Sequence, residues 1–233
     1  MNTFDDNYLP EDLESGDSAV LCPVCGTRVN NNPSDSLFDV LNIDSDFRVR
    51  TLEDDILDDW LIMCPSCYYV SHDFSLTPLR ENEIRNYIYS EDYVRLFPDN
   101  NPTTLELFSV HLVLLTLQGR DAYSLGDCHL RLAWLYEDEG DEENCDLHRR
   151  KAIEHFQRTL EEKAVETKQS GVLHYLIGDL HRRMGEFQKA EQRLFNLDRK
   201  EKTLKHLYEF QSKLVADKNT ACVALPGVKL EEL

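Results

Sequence analysis

The sequence is poor in positive charge. Its 233 residues include 25 lysines and arginines but 44 aspartates and glutamates, which gives a formal net charge of -19. Because such a surface repels phosphate backbones, the composition argues against nucleic acid as a partner. The hydrophobic content of 41% is ordinary for a folded protein, so the composition also argues against disorder throughout the chain.

Long apolar segments are missing as well. Residues 1–10 have neither the basic start nor the apolar stretch of a secretory signal, and they include Asp5 and Asp6. The most apolar run, residues 110–117, is far shorter than the ~20 residues that a membrane-spanning helix needs. We therefore expect a cytoplasmic protein without a membrane span, in which residues 110–117 form a buried helix.

The sequence lacks the common catalytic motifs. It contains no phosphate-binding loop, no H-E-x-x-H helix and no G-x-S-x-G turn, and its residues suggest no Ser/His/Asp set. Apart from His72, its histidines lie in predicted helices without paired ligand spacing, and His129 and His174 occupy equivalent repeat positions, which favours packing. These absences favour a protein that is not an enzyme.

What the chain does have is two copies of C-P-x-C among its seven cysteines. The first pair is Cys22 and Cys25, and the second is Cys64 and Cys67. A two-residue gap lets both sulfurs of one turn face the same ion, and two such turns supply four thiolates, which is typical of a structural zinc site. Isolated cysteines such as Cys128 are expected to pack as small hydrophobic residues.

The loop between the two pairs is longer than the ~15–20 residues of the generic signature. This length is tolerable, because doubling a loop costs only about 0.6 kcal/mol, whereas structural zinc contributes on the order of 10–16 kcal/mol in peptides. Iron of the rubredoxin type and redox-active or merely buried cysteines remain alternatives, although neither pair lies in a βαβ context. His72 could add a ligand, but a structural or exposed histidine is the favoured interpretation.

The chain divides into four predicted segments: a flexible acidic N-terminus (1–18), a four-cysteine zinc-binding unit (19–78), a helical domain (79–215) and a C-terminal tail (216–233). In the zinc-binding unit the pattern predicts a loop over residues 30–36 and short strands over residues 46–50, 60–63 and 68–71. Helices are predicted from about residue 79 to the break at residues 98–102, and then over residues 103–117, 121–138, 143–162, 170–184, 187–197 and 199–215.

The helical half contains two related stretches. Residues 171–197 have the layout of a tetratricopeptide repeat, with small residues where two helices touch and a glycine at the turn: Gly178, His181, Gly185, Ala190 and Leu194. The earlier copy carries Ala133, Tyr136, Gly140, Ala152 and Phe156 at the matching positions. It has an insertion after Gly140, which we expect to lengthen its second helix as an exposed extension. An ordinary helical bundle is the alternative.

Tetratricopeptide repeats bind partners in a groove lined by the first helix of each hairpin. The matching positions predict a protein or peptide site at Leu130, Trp134, Tyr175, Asp179, Arg182 and Arg183. The apolar side chains would anchor a partner, and the arginine pair could bind a carboxylate or an acidic peptide. Alternatively, Trp134 and Tyr175 belong to the core and the arginines pair with neighbouring acids.

A C-P-x-C-G knuckle, a second C-P-x-C followed by an aromatic residue, and tetratricopeptide-like helices together resemble an uncharacterised bacterial protein family. The resemblance implies a mostly α fold with a small β-containing zinc unit, and it implies no activity. We expect a non-enzymatic binding or scaffold protein with a structural Zn²⁺ ion. A zinc-ribbon regulator associated with nucleic acid, and a thiol redox sensor or enzyme that uses the cysteine pairs, are the alternatives.

Overall fold

The computed structural model describes residues 19–30, 40–52, 55–97 and 101–227. The N-terminus predicted to be flexible (1–18), all but the first residue of the predicted loop at 30–36, most of the predicted break at 98–102 and the last residues of the tail lie outside the described residues. The described part confirms the predicted architecture of a mostly α chain with a small N-terminal unit that contains strands.

The N-terminal unit contains three two-stranded antiparallel hairpins, which pair β1 with β2, β3 with β4, and β5 with β6. The strands are β1 (Ala19–Leu21), β2 (Arg28–Asn30), β3 (Val40–Ile43), β4 (Val49–Thr51), β5 (Ile62–Met63) and β6 (Val70–Ser71). The first and third hairpins each place one C-P-x-C motif at the turn between their strands.

The prediction of a strand over residues 46–50 was wrong at its start. Asp46 lies in a turn, and the strand begins at Val49. Phe47 has a φ of 67°, in the left-handed region, which interrupts an extended backbone. The alternation of residues 46–50 therefore marks the tip of the β3–β4 hairpin. The other two predicted strands are also shorter than expected, since β5 begins at Ile62 and β6 at Val70.

Eight helices follow in the described residues: α1 (Glu81–Ile88), α2 (Glu91–Val94), α3 (Thr104–Gln118), α4 (Ala122–Asp138), α5 (Glu142–Glu161), α6 (Thr167–Arg183), α7 (Phe187–Leu194) and α8 (Lys202–Ala216). The bounds of α3 to α8 agree with the predicted ones within three residues. Helix α3 shows why: Thr103 and Glu106 form a capping box at its start, and Gly119 ends it with a φ of 66°.

The helices α4 and α5, and likewise α6 and α7, form helical hairpins that match the predicted repeats. Their turns are equivalent, because Gly140 and Gly185 both have a φ of 74°. At Gly178 a Cβ atom would lie 3.2 Å from the Leu194 side chain, so α6 and α7 are in close contact at this glycine. Helix α5 has 20 residues and α7 has 8, which agrees with a longer second helix in the first repeat.

The extension of α5 was expected to be exposed, but part of it is buried. Cys145 and Arg149 lie within it and are buried. Arg149 contacts Glu137 of α4 at 3.3 Å and Asp146 of its own helix at 3.0 Å. The extension therefore packs against the first helix of its own repeat.

The hydrophobic core is continuous from the N-terminal unit into the helices. One cluster of buried side chains extends from Cys22 and Val24 through Phe108 of α3 to Leu180 of α6. A second cluster joins Ile43 of β3 to α6, α7, α8 and the tail residue Leu225. In the described part of the chain, no helix is both long enough and apolar enough to cross a membrane.

Candidate functional site

The two C-P-x-C motifs fold into the same turn. The backbone N–H of Gly26 donates to the carbonyl of Cys22 at 2.9 Å, and the N–H of Tyr68 donates to the carbonyl of Cys64 at 2.9 Å. Both donor residues are left-handed, with φ values of 75° for Gly26 and 60° for Tyr68. Each turn brings its two sulfurs to the same side of the backbone.

Tyr68 holds a conformation that glycine adopts without strain, and its neighbours keep it there. Its carbonyl accepts a 2.7 Å hydrogen bond from the Tyr93 hydroxyl. Its ring stacks on Phe97 with 5.4 Å between centroids. Contacts with the helical half thus fix the left-handed residue of the second knuckle. The first knuckle has a glycine at the equivalent position.

The four sulfurs converge on one point. Sγ of Cys22 lies 3.7 Å from Sγ of Cys67, and Sγ of Cys25 lies 3.5 Å from Sγ of Cys64. All four Sγ atoms lie within 4.8 Å of one another. A tetrahedral ion with bonds of about 2.3 Å to sulfur requires sulfur atoms about 3.8 Å apart. The cluster therefore has the dimensions to hold a metal ion.

Protons are shared unequally within this cluster. The hydrogen bond from Cys67 lowers the pKa of Cys22 to about 5, while the same bond and burial raise the pKa of Cys67. Burial also raises the pKa of Cys64. A bound cation would replace the shared protons, since metal ligands bind as thiolates.

The other cysteines and His72 lie outside this cluster. Cys128 and Cys145 are buried, and Cys128 packs in α4 as expected. Burial raises the pKa of Cys145 to about 11 and that of Cys222 to about 12. His72 is exposed on the segment after β6 and does not lie with the four cysteine sulfurs.

The six residues predicted to line the partner groove are all buried: Leu130, Trp134, Tyr175, Asp179, Arg182 and Arg183. Two segments of the same chain contact Trp134, Tyr175 and the two arginines. One is the tip of the β3–β4 hairpin, and the other is the tail after α8. These two segments pair with each other, since the N–H of Ser45 donates to Val223 O at 2.8 Å and the N–H of Leu225 donates to Ile43 O at 2.7 Å.

Asp46, at the hairpin tip, is the centre of the first contact with the helices. Its carboxylate accepts hydrogen bonds from Arg183 and, at 2.9 Å, from the indole N–H of Trp134. Arg183 also pairs with Glu137. Burial raises the pKa of Asp46 above its usual value, and the opposing charge of Arg183 offsets only part of this shift.

Arg182 is the centre of the second contact. Its guanidinium donates to Asp179 at 2.6 Å, to the hydroxyl of Ser45 at 3.1 Å and to the carbonyl of Ala221 at 2.9 Å. Gln211 of α8 also accepts from it at 3.0 Å. The Tyr175 ring lies 5.0 Å from that of Phe47.

The acidic ligand expected for the arginine pair is therefore supplied by the chain itself. Arg182 is bound by its own helix, α8, the hairpin tip and the tail, and the charge of Arg183 is paired with Asp46 and Glu137. The groove is therefore not open on the side of the second repeat. Asp44, Asp46 and Cys222 also lie close enough to share an ion. However, both carboxylates already pair with arginines, Asp44 with Arg50 at 2.7 Å and Asp46 with Arg183.

Part of the groove remains open beside the first repeat. A cleft of about 630 Å³ lies between α4, the end of α5 and the start of α6, with the hairpin tip as one wall. Leu130 and Trp134, two of the predicted partner residues, contribute to its lining together with Phe156, Val165 and Val172. We call this cavity the repeat cleft.

A comparison with known protein families tests the resemblance that the motifs indicated. The model of a family described as "Uncharacterized protein conserved in bacteria (DUF2225)" matches residues 16–215. The chain belongs to this family. Neither the curated proteins nor the solved structures contain a significant match.

The match to DUF2225 covers both cysteine pairs and all of the described helices except the last residue of α8. It therefore agrees with the resemblance seen in the sequence, in which knuckles and helices occur together. The family description names no activity, so a function can be inferred only from the arrangement of side chains.

Sequence reasoning missed two groups of side chains. The first is the hairpin tip around Asp46, whose partners lie far away in the sequence. The second is a histidine cluster, in which Nδ1 of His129 lies 2.9 Å from Nδ1 of His148 and the ring of His155 stacks on that of His129 at 5.5 Å. A helical wheel of α5 could have found the second group, because His148 and His155 are two turns apart on the same face.

Proposed function

We propose that this protein is a non-catalytic binding module in which a structural zinc site fixes the N-terminal unit and the repeat cleft binds a peptide segment of a partner protein. The observation that carries the proposal is the cleft itself. It lies on the first helices of both repeats, where tetratricopeptide-like folds bind ligands, and the hairpin tip and tail leave it open.

The proposed zinc site rests on the chemistry of the four donors. Thiolates are soft ligands that favour Zn²⁺ over harder divalent ions such as Mg²⁺ and Ca²⁺. Four of them close a tetrahedral coordination sphere and leave no position for an activated water. Because the cluster belongs to the same core as the helices, an ion there would stabilise the unit that carries the hairpin tip.

The chemistry of the cleft specifies its partner. The lining is largely apolar, and Asp121 is exposed where the cleft begins. The arginines that could have attracted an acidic peptide already pair with Asp46 and Asp179. Together with the net charge of -19, this favours a peptide with two or three apolar side chains beside a lysine or arginine.

The test uses peptides selected from a random library on the whole protein, with affinity measured by fluorescence anisotropy. Val165 and Val172 line the cleft and are half-buried, so Val165→Asp and Val172→Asp should each weaken binding at least about tenfold. Val113, which lies on α3 and is 39% exposed, gives the matched control Val113→Asp.

The selected peptides should be apolar and basic, and Val113→Asp should leave their affinity unchanged. Selection of acidic peptides would contradict the assignment of the cleft. An equal loss of affinity in all three variants would contradict it as well. Binding that survives both cleft variants would place the partner surface elsewhere.

A further inference from the structure

A second cavity, of about 280 Å³, lies where the N-terminal unit meets α3 and α4. Its lining includes Trp60 from the N-terminal unit, Leu115 from α3 and Arg120 from the turn before α4. We call it the junction cavity. It lies between α3 and α4, whereas the repeat cleft reaches from α4 to α6.

The junction cavity and the repeat cleft share one wall. Tyr123, Asp127 and Arg131 line both cavities. These residues follow one another four positions apart on α4, so they form a single ridge along the helix. Tyr123 is 48% exposed at the start of this ridge. The two cavities therefore adjoin each other across side chains of α4.

The middle of the ridge carries no net charge. Arg131 donates to both carboxylate oxygens of Asp127, at 2.9 and 3.2 Å. The guanidinium of Arg131 also lies 3.8 Å from the centre of the Trp60 ring, which is 38% exposed. The charge of Arg131 is therefore neutralised by Asp127, and aromatic side chains of Tyr123 and Trp60 lie beside the pair.

The charges at the start of α4 differ between the two cavities. Asp121 lines the repeat cleft, and its Oδ1 atom is held in place as the helix cap by the N–H of Ser124 at 2.8 Å. Arg120 is its neighbour in the chain and lines the junction cavity. A ligand that extends over both cavities therefore meets a negative charge on one side of α4 and a positive charge on the other.

Arg120 has no acidic partner among the residues that the structure describes. Its side chain is half-buried, and its Nε atom is enclosed without a hydrogen-bond partner. Its two terminal nitrogens are neither enclosed in this way nor hydrogen-bonded to a described residue, so they can donate to a ligand. The two terminal N–H groups of a guanidinium fit the two oxygens of one carboxylate.

A peptide must pass over one helix to reach both cavities. Packed helices lie about 8–10 Å apart, and an extended chain advances about 3.3 Å per residue. Side chains three or four positions apart in a bound peptide can therefore enter the two cavities.

We propose that the partner peptide crosses α4 over Tyr123 and occupies both cavities, with its apolar and basic side chains in the repeat cleft and one aspartate or glutamate on Arg120 in the junction cavity. This inference rests on the proposed function, because it extends the peptide site of the repeat cleft. The acidic residue lies three or four positions from the basic one. The N-terminal unit then forms part of the binding site through Trp60.

The test uses the peptides selected on the whole protein, synthesised with amidated C-termini so that a terminal carboxylate cannot replace the acidic side chain. Their consensus should contain one acidic residue three or four positions from the lysine or arginine. Arg120→Glu should weaken their binding at least about tenfold, because two like charges then face each other. Exchanging the acidic residue of the peptide for lysine should weaken binding to the unmodified protein and restore binding to Arg120→Glu.

The matched control is Arg95→Glu, which makes the same change of charge at an exposed arginine after α2. Arg95 lines neither cavity, so this variant should bind the selected peptides with unchanged affinity. Circular dichroism and the thermal midpoint check that Arg120→Glu is folded. The exchange within the peptide tests the same contact on the unmodified protein, without any change to the fold.

Three results would overturn the inference and leave the repeat cleft intact, provided that Val165→Asp still weakens binding. They are equal affinity in Arg120→Glu and Arg95→Glu, no loss when the peptide exchanges its acidic residue for lysine, and no rescue of Arg120→Glu by that peptide. If no selected peptide binds at all, the proposed function fails, and this inference fails with it.

Discussion

Asp46 and Arg183 form a buried ion pair although they lie 137 residues apart in the chain. Both side chains are almost fully shielded from solvent, at 1% and 2% exposure. The pair fastens the tip of the β3–β4 hairpin to the end of α6. It therefore holds the β3–β4 hairpin of the N-terminal unit against α6.

Breaking this pair from one side should destabilise the protein strongly. Asp46→Asn removes the buried carboxylate from Arg183, which keeps only Glu137, and Arg183→Met leaves the buried Asp46 without its cationic partner. The loss of a buried charge partner costs about 3–5 kcal/mol in comparable sites. Urea unfolding of each variant measures the loss. Arg158→Met, which removes an exposed arginine paired with Glu162, should change the free energy of unfolding by less than about 1 kcal/mol.

The double variant Asp46→Asn with Arg183→Met distinguishes a specific pair from two separate losses. It should recover part of the stability, because neither group is then left as an uncompensated buried charge. Strictly additive losses would mean that the two side chains are not coupled.

The tail should contribute stability through Leu225. This side chain is 6% exposed and packs in the second hydrophobic cluster with Ile43 and helices α6 to α8. Leu225→Ala should cost about 2–3 kcal/mol of unfolding free energy. Phe195→Ala, at a side chain that is 72% exposed, is the control and should have little effect. Equal effects would show that the tail does not pack on the helices in solution.

The first knuckle should require its glycine for backbone reasons alone. Gly26 has a φ of 75°, and a Cβ atom placed there would meet nothing within 4 Å. Gly26→Ala should therefore cost about 1–2 kcal/mol from the left-handed conformation, and Gly26→Asn should cost less because asparagine tolerates that region. Thermal unfolding of the two variants gives the comparison, and an alanine variant at least as stable as the asparagine variant would contradict it.

Acid should weaken the protein through its buried histidines. Burial first, and then the neighbouring His148 and His155, lower the pKa of His129 to about 3. The unfolded chain has a histidine pKa of about 6.5, so below that pH the unfolded state binds more protons and stability is lost as pH falls. The free energy of unfolding should therefore decrease between about pH 6.5 and 5.

The variant His129→Gln isolates this contribution. It should flatten the pH dependence in that window, although His111, whose pKa burial lowers to about 4, keeps part of it. Unfolding measured at several pH values in both proteins gives the two slopes. Identical slopes would show that His129 is not neutral in the folded protein.

Local signals were enough to predict the helices and the four cysteines that lie together. Thr103 and Gly119 mark the ends of α3 in the sequence as they do in the structure, and the two C-P-x-C motifs identify a four-sulfur cluster without any knowledge of how they meet. Features of this kind depend on neighbours within a few residues, so a single sequence contains them.

The groove could not be predicted in the same way. Its open or covered state depends on contacts such as that of Arg182 with Ser45 and Ala221, which no local pattern encodes. The alternation of residues 46–50 was misleading for a related reason, since a hairpin tip that packs Phe47 on Tyr175 has the same apolar and polar order as a strand. The tail gave no signal, because its structure arises from pairing with Ile43 and Ser45.

Metal analysis combined with X-ray absorption spectroscopy, on protein purified without chelator, tests whether the four cysteines hold zinc. We predict one zinc per chain with four sulfur neighbours at about 2.3 Å. Replacing Cys22 and Cys64 by serine should remove the metal, and Cys145→Ala, at a buried cysteine outside the cluster, should retain it. Less than about half an equivalent of zinc, nitrogen or oxygen ligands at the ion, or metal that persists after the double replacement would contradict the account.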